Sequence, residues 1–111
     1  MQPIAIAQWN EIPDREPVGA LVDNVDLVID RWDDNHSVLY GRCLHRWALL
    51  SDGHISGANL ICGLHGWDYV YMTGVSAYNN AERLNRFSSW IEDGSVMIDA
   101  DEIMAWEKEH P

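Results

Sequence analysis

The chain has 111 residues, of which 47% are hydrophobic, and its 18 acidic and 7 basic residues give a formal net charge of −11. This length is enough for one domain with one hydrophobic core. The negative charge argues against nucleic acids and anionic membranes as partners, because both carry negatively charged phosphates. It favours a protein partner with a basic docking surface.

The sequence carries no signal for a membrane span or for secretion. No segment approaches the roughly 18 apolar residues that a spanning helix needs. The N-terminal residues 1–7 lack the basic region and the long apolar run of a signal peptide. We therefore expect a cytoplasmic location.

Short apolar segments alternate with turn signals along most of the chain. Strands are predicted at residues 4–7, 18–22, 25–29, 59–61, 68–71, 87–91 and 95–98. Turns are predicted at residues 10–14 (with a single helical turn as the alternative), 23–24, 32–36, 51–53, 56–57, 73–74 and 92–94. Residues 37–40 lead the chain to Cys43, and the polar segment at residues 75–84 is predicted to be a surface loop. The pattern indicates an all-β fold.

The C-terminal segment changes period and predicts a short helix. Asp99 followed by Glu102 is a variant of the capping box, in which a side chain at the start of a helix binds free backbone N–H groups. Ile98 and Ile103 are placed to form the hydrophobic staple around this start. We expect the helix to end near Lys108.

Two cysteines and two histidines recur in a matched pattern. Cys43 and His45 are separated by one residue, sixteen residues follow, and Cys62 and His65 are separated by two. Two loops of similar design thus offer two thiolates and two imidazoles, which favours an iron–sulfur site. Zinc is an alternative, although its ligands usually enter as pairs two to four residues apart. A disulfide is another, but it would leave the histidines and the flanking glycines without a role.

This pattern resembles the Rieske family, whose [2Fe–2S] cluster has two cysteine ligands on one iron and two histidine ligands on the other. The resemblance extends through residues 43–53 and 61–69 to Thr73 and Gly74. It implies one cluster per chain. The implied ligands of the cluster and its metal ions are Cys43, His45, Cys62 and His65.

The resemblance also implies a fold. Small antiparallel sheets form a base domain, a two-loop cluster-binding subdomain projects from it at about residues 41–71, and a short C-terminal helix follows. Residues 1–111 form a single Rieske [2Fe–2S] domain in this interpretation. Assigning both cysteines to metal leaves none for a structural disulfide, which fits a reducing compartment.

Further residues are expected around the cluster by the same resemblance. They are Arg46, Trp47, Gly63, Leu64, Gly66, Trp67 and Tyr69. The tryptophans would shield the cluster, the glycines would let the backbone approach the sulfides, and Leu64 replaces a cysteine that respiratory-chain Rieske proteins use in a disulfide. High-potential members carry a serine hydroxyl where this chain has Trp67 and a tyrosine hydroxyl where it has Tyr69. We therefore expect a potential in the lower half of the Rieske span of roughly −150 to +300 mV. Tyr69 could also be only a packing residue.

Other charged or titratable side chains have less specific expectations. Arg42 and Arg46 flank the first loop and could pair with carboxylates of a partner or of this domain, or be ordinary surface residues. His36, His54 and His110 are expected to be solvated side chains rather than metal ligands.

The implied function is one-electron transfer by a ferredoxin-like carrier, between a reductase and an oxygenase or another redox enzyme. The chain itself is not expected to be an enzyme, because it leaves no room for a catalytic domain with a mononuclear iron site. One alternative is an electron-transfer module of a larger FMN-dependent enzyme, since residues 75–82 and 96–111 resemble the Rieske segment that precedes an FMN-binding glutamate-synthase-like domain. A second is a non-redox Rieske-like interaction subunit, although such members typically lack the four ligands. The redox partner would be a reductase, an oxygenase or an FMN-binding domain.

Overall fold

The computed structural model of the protein describes residues 1–44, 48–63, 68–76 and 82–110. In these residues the elements are β1 (Pro3–Gln8), β2 (Val18–Val22), β3 (Val25–Trp32), β4 (Asn35–Tyr40), β5 (His54–Ser56), β6 (Asn59–Ile61), β7 (Asp68–Val70), β8 (Arg86–Phe87), β9 (Ser89–Glu92), β10 (Ser95–Asp99) and the helix α1 (Ala100–Glu109). Short 3-10 turns lie at Trp9–Glu11 and Leu50–Asp52. No helix among the described residues has the length and apolar character of a membrane span.

The strands form three small antiparallel sheets, with orders β2-β3-β4-β8, β1-β10-β9 and β5-β6-β7. The four-stranded sheet is buried on both faces. One face, the β1-β10-β9 sheet and α1 enclose the base core, which consists of Ile12, Val22, Val25, Leu27, Ile29, Val38, Phe87, Val96, Ile98, Ala100 and Ile103. The all-β fold with a short C-terminal helix is therefore confirmed.

The opposite face of the four-stranded sheet covers a second core, which we call the site core. It consists of Val28, Leu39, Cys43, Leu50, Leu60, Cys62, Tyr69, Tyr71 and Leu84. Strand β3 serves both cores because successive side chains of a strand point to opposite faces. Leu27 and Ile29 enter the base core, and Val28 enters the site core. This arrangement places both cysteines between the base and the small β5-β6-β7 sheet.

Residues in the left-handed region close four hairpins among the described residues, one of which is the β3–β4 hairpin at Asp33, with φ of 58°. Asp23 and Asn24, with φ of 48° and 69°, connect β2 to β3, and Asp93 and Gly94, with φ of 52° and 77°, connect β9 to β10. Two consecutive residues with positive φ define the tight turn that matches the twist of paired strands. The turns predicted at residues 23–24 and 92–94 are both confirmed, and each closes a hairpin. A third hairpin, which joins β5 to β6 through Gly57 with φ of 60°, was predicted only as a turn followed by one strand.

Two predicted boundaries are wrong. The turn at residues 32–36 is shorter than expected, because Trp32 ends β3 and pairs with Asn35, the first residue of β4. The strand predicted at residues 87–91 is divided between two sheets. Phe87 belongs to β8 and pairs with β4, and the chain then enters β9 of the other base sheet. A change of sheet within a few residues depends on contacts distant in sequence, which local patterns do not contain.

The segment at residues 75–84 is not simply a surface loop. Ser76 forms an isolated bridge with Tyr69 and is 1% exposed, and Leu84 is completely buried in the site core. The prediction is wrong at both ends of the segment because these ends pair with the backbone near β7. Residues 77–81 lie outside the described residues.

The helix begins as predicted, with one difference. The Asp99 carboxylate accepts a hydrogen bond from the Asp101 N–H at 3.0 Å, which confirms the N-cap. Glu102 does not complete the capping box. Its carboxylate accepts from the Ser88 N–H at 2.9 Å and so connects the helix to the segment between β8 and β9. The two isoleucines of the predicted staple are both completely buried.

His36 is not a solvated side chain. It is half-buried on β4 with its ring edge against Trp9, at 5.8 Å between ring centroids, and its Nε2 has no hydrogen-bond partner among the described residues. Burial and the nearby Arg86 lower the pKa of His36, against a weaker opposing hydrogen bond. His54 and His110 are exposed, as predicted.

Two glycines with positive φ should respond differently to a methyl group. Gly74 and Gly94 have φ of 84° and 77°, but a Cβ at Gly74 would lie 2.3 Å from the Leu84 carbonyl oxygen, whereas one at Gly94 would meet nothing within 4 Å. Gly94→Ala should lower the free energy of unfolding by about 1 kcal/mol through backbone strain alone. Gly74→Ala should lower the free energy of unfolding by at least about 2 kcal/mol more than Gly94→Ala does, because of the added clash. Urea unfolding would measure both, and equal losses would contradict the close approach.

Candidate metal centre

Cys43 lies at the root of a loop that the base sheet holds in place. Its N–H donates to the Ala48 carbonyl oxygen at 2.9 Å, and Arg42 and Leu49 form an isolated antiparallel bridge beside it. The N–H of Gly41, two residues before Cys43, donates to the Asp26 carbonyl oxygen of β3 at 2.7 Å. The chain therefore enters and leaves this loop through paired backbone, which fixes the position of the Cys43 side chain.

Cys62 begins the second loop directly after β6. The pairing of Ile61 with Asp68 closes this loop at its base. Backbone also packs tightly behind it. A Cβ at Gly53 would lie 2.0 Å from the Ile61 carbonyl oxygen, and a Cβ at Gly63 would lie 2.9 Å from the Asp52 carbonyl oxygen. Only glycine permits these approaches, so the segment before β5 acts as a support for the second loop.

Tyr69 connects the two loops. It lies on β7, is completely buried, and stands between Leu60 on one side and Ser76 on the other. Its hydroxyl oxygen accepts a hydrogen bond from the Leu44 N–H at 3.1 Å and lies 3.7 Å from Cys43 Sγ. Because the phenol oxygen already accepts from Leu44, its own hydrogen is the group available to the sulfur, and a thiolate can only accept.

The protonation state of Tyr69 agrees with this role. Burial raises the pKa of the phenol well above its ordinary value, the Leu44 N–H opposes the rise, and the nearby Cys43 reinforces it. A raised pKa keeps the Tyr69 hydroxyl protonated across the physiological pH range. The hydroxyl therefore remains a hydrogen-bond donor whenever Cys43 is a thiolate.

The two thiols are suited to binding a soft metal. Cys43 and Cys62 are 0% and 1% exposed, neither forms a disulfide, and they belong to the same apolar core. The alternative of a disulfide is therefore not what the structure shows. Sulfur ligands of this kind select iron–sulfur clusters, zinc or Cu(I). The described residues contain no group of three or more His, Cys, Asp or Glu side chains that could hold a metal ion.

Arg42 is committed to its own domain. Its Nε donates to Asp26 Oδ2 at 2.7 Å, and the two side chains are 36% and 25% exposed. Of the alternatives weighed for Arg42, a pair within this domain is the one observed. A partly exposed pair contributes about 1 kcal/mol or less to stability. Its main effect is to tie the root of the first loop to β3.

The structure places only part of the predicted site. Cys43, Cys62 and Tyr69 belong to the site core, and Gly63 is exposed directly after Cys62, beside the Asp52 backbone. The other predicted ligands and neighbours, which fall outside the described residues, are His45, Arg46, Trp47, Leu64, His65, Gly66 and Trp67. Two contributors were missed by sequence analysis. Gly53 was interpreted only as a turn residue, and no local signal announces that the Leu44 N–H binds a phenol 25 residues away.

Comparison with known proteins is consistent with this geometry. The model of the Rieske [2Fe-2S] domain family matches residues 2–88. Methylxanthine N1-demethylase NdmA of Pseudomonas putida is 40% identical over 53 residues, which are 48% of this chain and 15% of that protein. The chain thus spans a small part of the length of this curated relative.

Solved structures show the same fold. The Sphingomonas yanoikuyae B1 ferredoxin is 28% identical with a TM-score of 0.80, and the match covers 88% of this chain and 98% of that chain. A chain in the reduced complex between oxygenase and ferredoxin in carbazole 1,9a-dioxygenase is 25% identical with a TM-score of 0.78, and the match covers 87% of this chain and 28% of that chain.

The family is therefore established by a model that matches most of the chain, and the fold by two structures with the same architecture. Both cysteines of the motif lie within the matched residues. Members of this family bind a [2Fe–2S] cluster, and the ferredoxins among them are electron carriers rather than catalytic enzymes. The chain belongs to the Rieske [2Fe–2S] domain family.

Proposed function

We propose that the protein is a one-electron carrier of the Rieske ferredoxin type, in which Cys43 and Cys62 together with His45 and His65 hold one [2Fe–2S] cluster. The observation that carries this proposal is the burial of two cysteines, neither in a disulfide, in one core, with the Tyr69 hydroxyl oxygen 3.7 Å from Cys43 Sγ. When bound, such a cluster accepts and releases one electron at a potential above that of all-cysteine clusters.

The residues of the chain would support this chemistry in two ways. Leu50, Leu60 and Tyr71 line the site core and exclude water from the thiolates. The backbone pairing at both loop roots and the tight packing behind Gly53 hold the ligands in one arrangement. A site that moves little between oxidation states can exchange electrons with little reorganisation. In this proposal residues 1–111 form a single domain, and its subdomain at about residues 41–71 binds the cluster.

The partner proposed is a redox protein with a basic docking surface, such as an oxygenase or a reductase. One similar structure is described as a complex between oxygenase and ferredoxin, which supports an oxygenase as one such partner. The net charge of −11 favours a basic surface over an acidic one. We also propose a cytoplasmic location, because a reducing compartment keeps the two thiols available as ligands.

The sequence also suggested two alternative functions, a module of an FMN-dependent enzyme and a non-redox interaction subunit. The likeness of residues 75–82 and 96–111 to a module of an FMN-binding enzyme stays a prediction, and residues 96–111 lie beyond the family match. A non-redox interaction subunit would have no need of two buried cysteines outside a disulfide, one of them beside a buried hydroxyl.

Metal analysis tests the proposed site directly. The purified protein should contain two irons and two acid-labile sulfides per chain. Cys43→Ser and Cys62→Ser should each abolish the bound iron, because a serine oxygen is a poor substitute for a soft thiolate. Ser56→Ala, at an exposed position of β5, is the matched control and should retain full iron. One zinc per chain with no sulfide would refute the proposal.

The Tyr69 hydroxyl should set part of the reduction potential. A hydrogen bond to a cluster thiolate strengthens when the site gains negative charge, so it favours the reduced state, and Tyr69→Phe should lower the potential. A difference of about 1 kcal/mol corresponds to about 40 mV for one electron.

The control for this prediction is Tyr71→Phe. Tyr71 is an almost buried aromatic residue of the same core, whose ring packs on Trp32 at 4.8 Å. Protein-film voltammetry on both variants would measure the two shifts. A shift in Tyr69→Phe no larger than that in Tyr71→Phe would show that Tyr69 is only a packing residue.

Electrostatic docking should make electron transfer depend on salt and on the charge of the acceptor. The reduced protein should transfer electrons to a basic c-type cytochrome at least about tenfold more slowly at high than at low ionic strength. An acidic c-type cytochrome is the control and should show no such fall. Stopped-flow absorbance would follow both reactions. Identical salt dependence for the two acceptors would contradict a basic docking partner.

A further inference from the structure

Asp30 is a buried carboxyl group without a visible structural role. It lies on β3, is 0% exposed, and neither carboxyl oxygen has a hydrogen-bond partner among the described residues. Buried polar groups in proteins are nearly always hydrogen-bonded, and an unpaired buried charge is costly. An unpartnered carboxyl at the centre of a sheet therefore calls for an explanation other than stability.

The register of the sheet shows which face Asp30 occupies. Val28, two residues earlier on β3, enters the site core, and Trp32, two residues later, packs on Tyr71. Side chains separated by two positions on a strand share a face. Asp30 therefore faces the side of the sheet that carries the cysteine loops. Its pairing partner Ser37 cannot serve it as a donor, because the Ser37 hydroxyl donates to the Tyr71 carbonyl oxygen at 2.7 Å.

Charged groups on the adjoining elements are engaged elsewhere. Arg31, next to Asp30, lies over the Trp9 ring at 4.2 Å. Arg86 of β8 donates to the Met72 carbonyl oxygen. Arg15, another described basic residue near this end of β3, pairs with the carboxylates of Asp14 and Asp33.

Titratable side chains of the described residues also lie near this face. His36 of β4 has its ring against Trp9, and Tyr71, after β7, packs its ring on Trp32 of β3 and accepts a hydrogen bond from Ser37 through its carbonyl oxygen. Burial alone raises the pKa of Asp30 to about 7. The carboxyl can therefore gain or lose a proton close to neutral pH, without an ion pair that fixes its charge.

Resting on the proposed function, we propose that Asp30 is a proton-binding site linked to electron uptake. The redox partner supplies one electron to the cluster, water supplies one proton to the ionised Asp30 carboxylate, and an O–H bond forms at the carboxyl. Release of the electron breaks that bond and returns the proton to water. In the molecules that take up this proton, the net charge of the buried region is the same before and after the electron arrives.

The separation between Asp30 and the cysteine loops that would hold the cluster allows this coupling. From Ser37, the partner of Asp30, to Gly41, at the root of the first loop, the chain runs four residues of extended backbone, about 13 Å. An added unit charge about 15 Å away, at an effective dielectric constant of about 20, changes the proton affinity of a carboxyl group about sixfold. The pH at which Asp30 is half protonated should therefore rise by about 0.8 unit on reduction.

Potentiometry on the holoprotein between pH 5 and 9 tests the link. The wild-type potential should be flat at low pH, fall through one shallow step that begins near pH 7, and level off about one unit higher. Asp30→Asn should remove this step, because the amide does not titrate. Asp34→Asn, at an exposed position of the same hairpin, is the control and should retain the step. A step that persists unchanged in Asp30→Asn would overturn the proposal.

Infrared spectroscopy of the wild type gives a measurement that does not depend on a variant folding. With aspartate labelled by ¹³C, the protonated carboxyl band should titrate near pH 7 in the oxidised protein and at higher pH in the reduced protein. A cluster-bearing protein whose band titrates at the same pH in both states would overturn only the link. A protein without iron and sulfide would overturn the proposed function and the link with it.

Discussion

The whole site depends on the burial of one sheet on both of its faces. Because the four-stranded sheet packs against the base on one side, its other face can cover a second apolar core, and both thiols belong to that core. Apolar burial is the dominant favourable term in folding. The burial that stabilises the base therefore also holds in place the sheet on which the site core packs. A metal centre placed in a surface loop would lack this support.

Tyr69 shows how one residue can join fold and chemistry. Its backbone pairs with Leu60 and Ser76, its ring fills the site core, and its hydroxyl reaches the backbone and sulfur of the first loop. The second loop is thus attached to the first through a strand that belongs to neither. An aromatic residue with a polar tip suits this position because the apolar ring can be buried while the hydroxyl finds partners.

The sequence predicted the features whose causes are local. The turn at Asp23 and Asn24 follows from two residues that tolerate positive φ, and the N-cap at Asp99 follows from a side chain that reaches its own helix. The paired motif with Cys43 and Cys62 was recognisable because ligand spacing reflects loop geometry. By contrast, Phe87 joins a different sheet from residues 89–91 through contacts distant in the chain.

Other features could not be predicted because they exist only after the sheets assemble. The burial of Ser76 and Leu84 depends on the backbone near β7. Asp30 is isolated because no donor among the described residues forms a hydrogen bond with its carboxyl oxygens. Local patterns made Ser76 and Leu84 look like loop residues, and the strand predicted at residues 25–29 stopped before Asp30.

The three glycines between and beside the cysteine loops also determine where the motif can vary in length. Gly53 and Gly63 lie where backbone meets backbone, so an added residue near either would separate the loops from their support. Gly57 differs, because a Cβ there would meet nothing within 4 Å at the tip of the β5–β6 hairpin. Residues 48–61, the part of the sixteen-residue spacer that the structure describes, therefore support the two loops and can change in length at the hairpin tip rather than beside Gly53. Sequence searches that allow length variation at this hairpin tip, and not beside Gly53, would follow the physical tolerance of the fold.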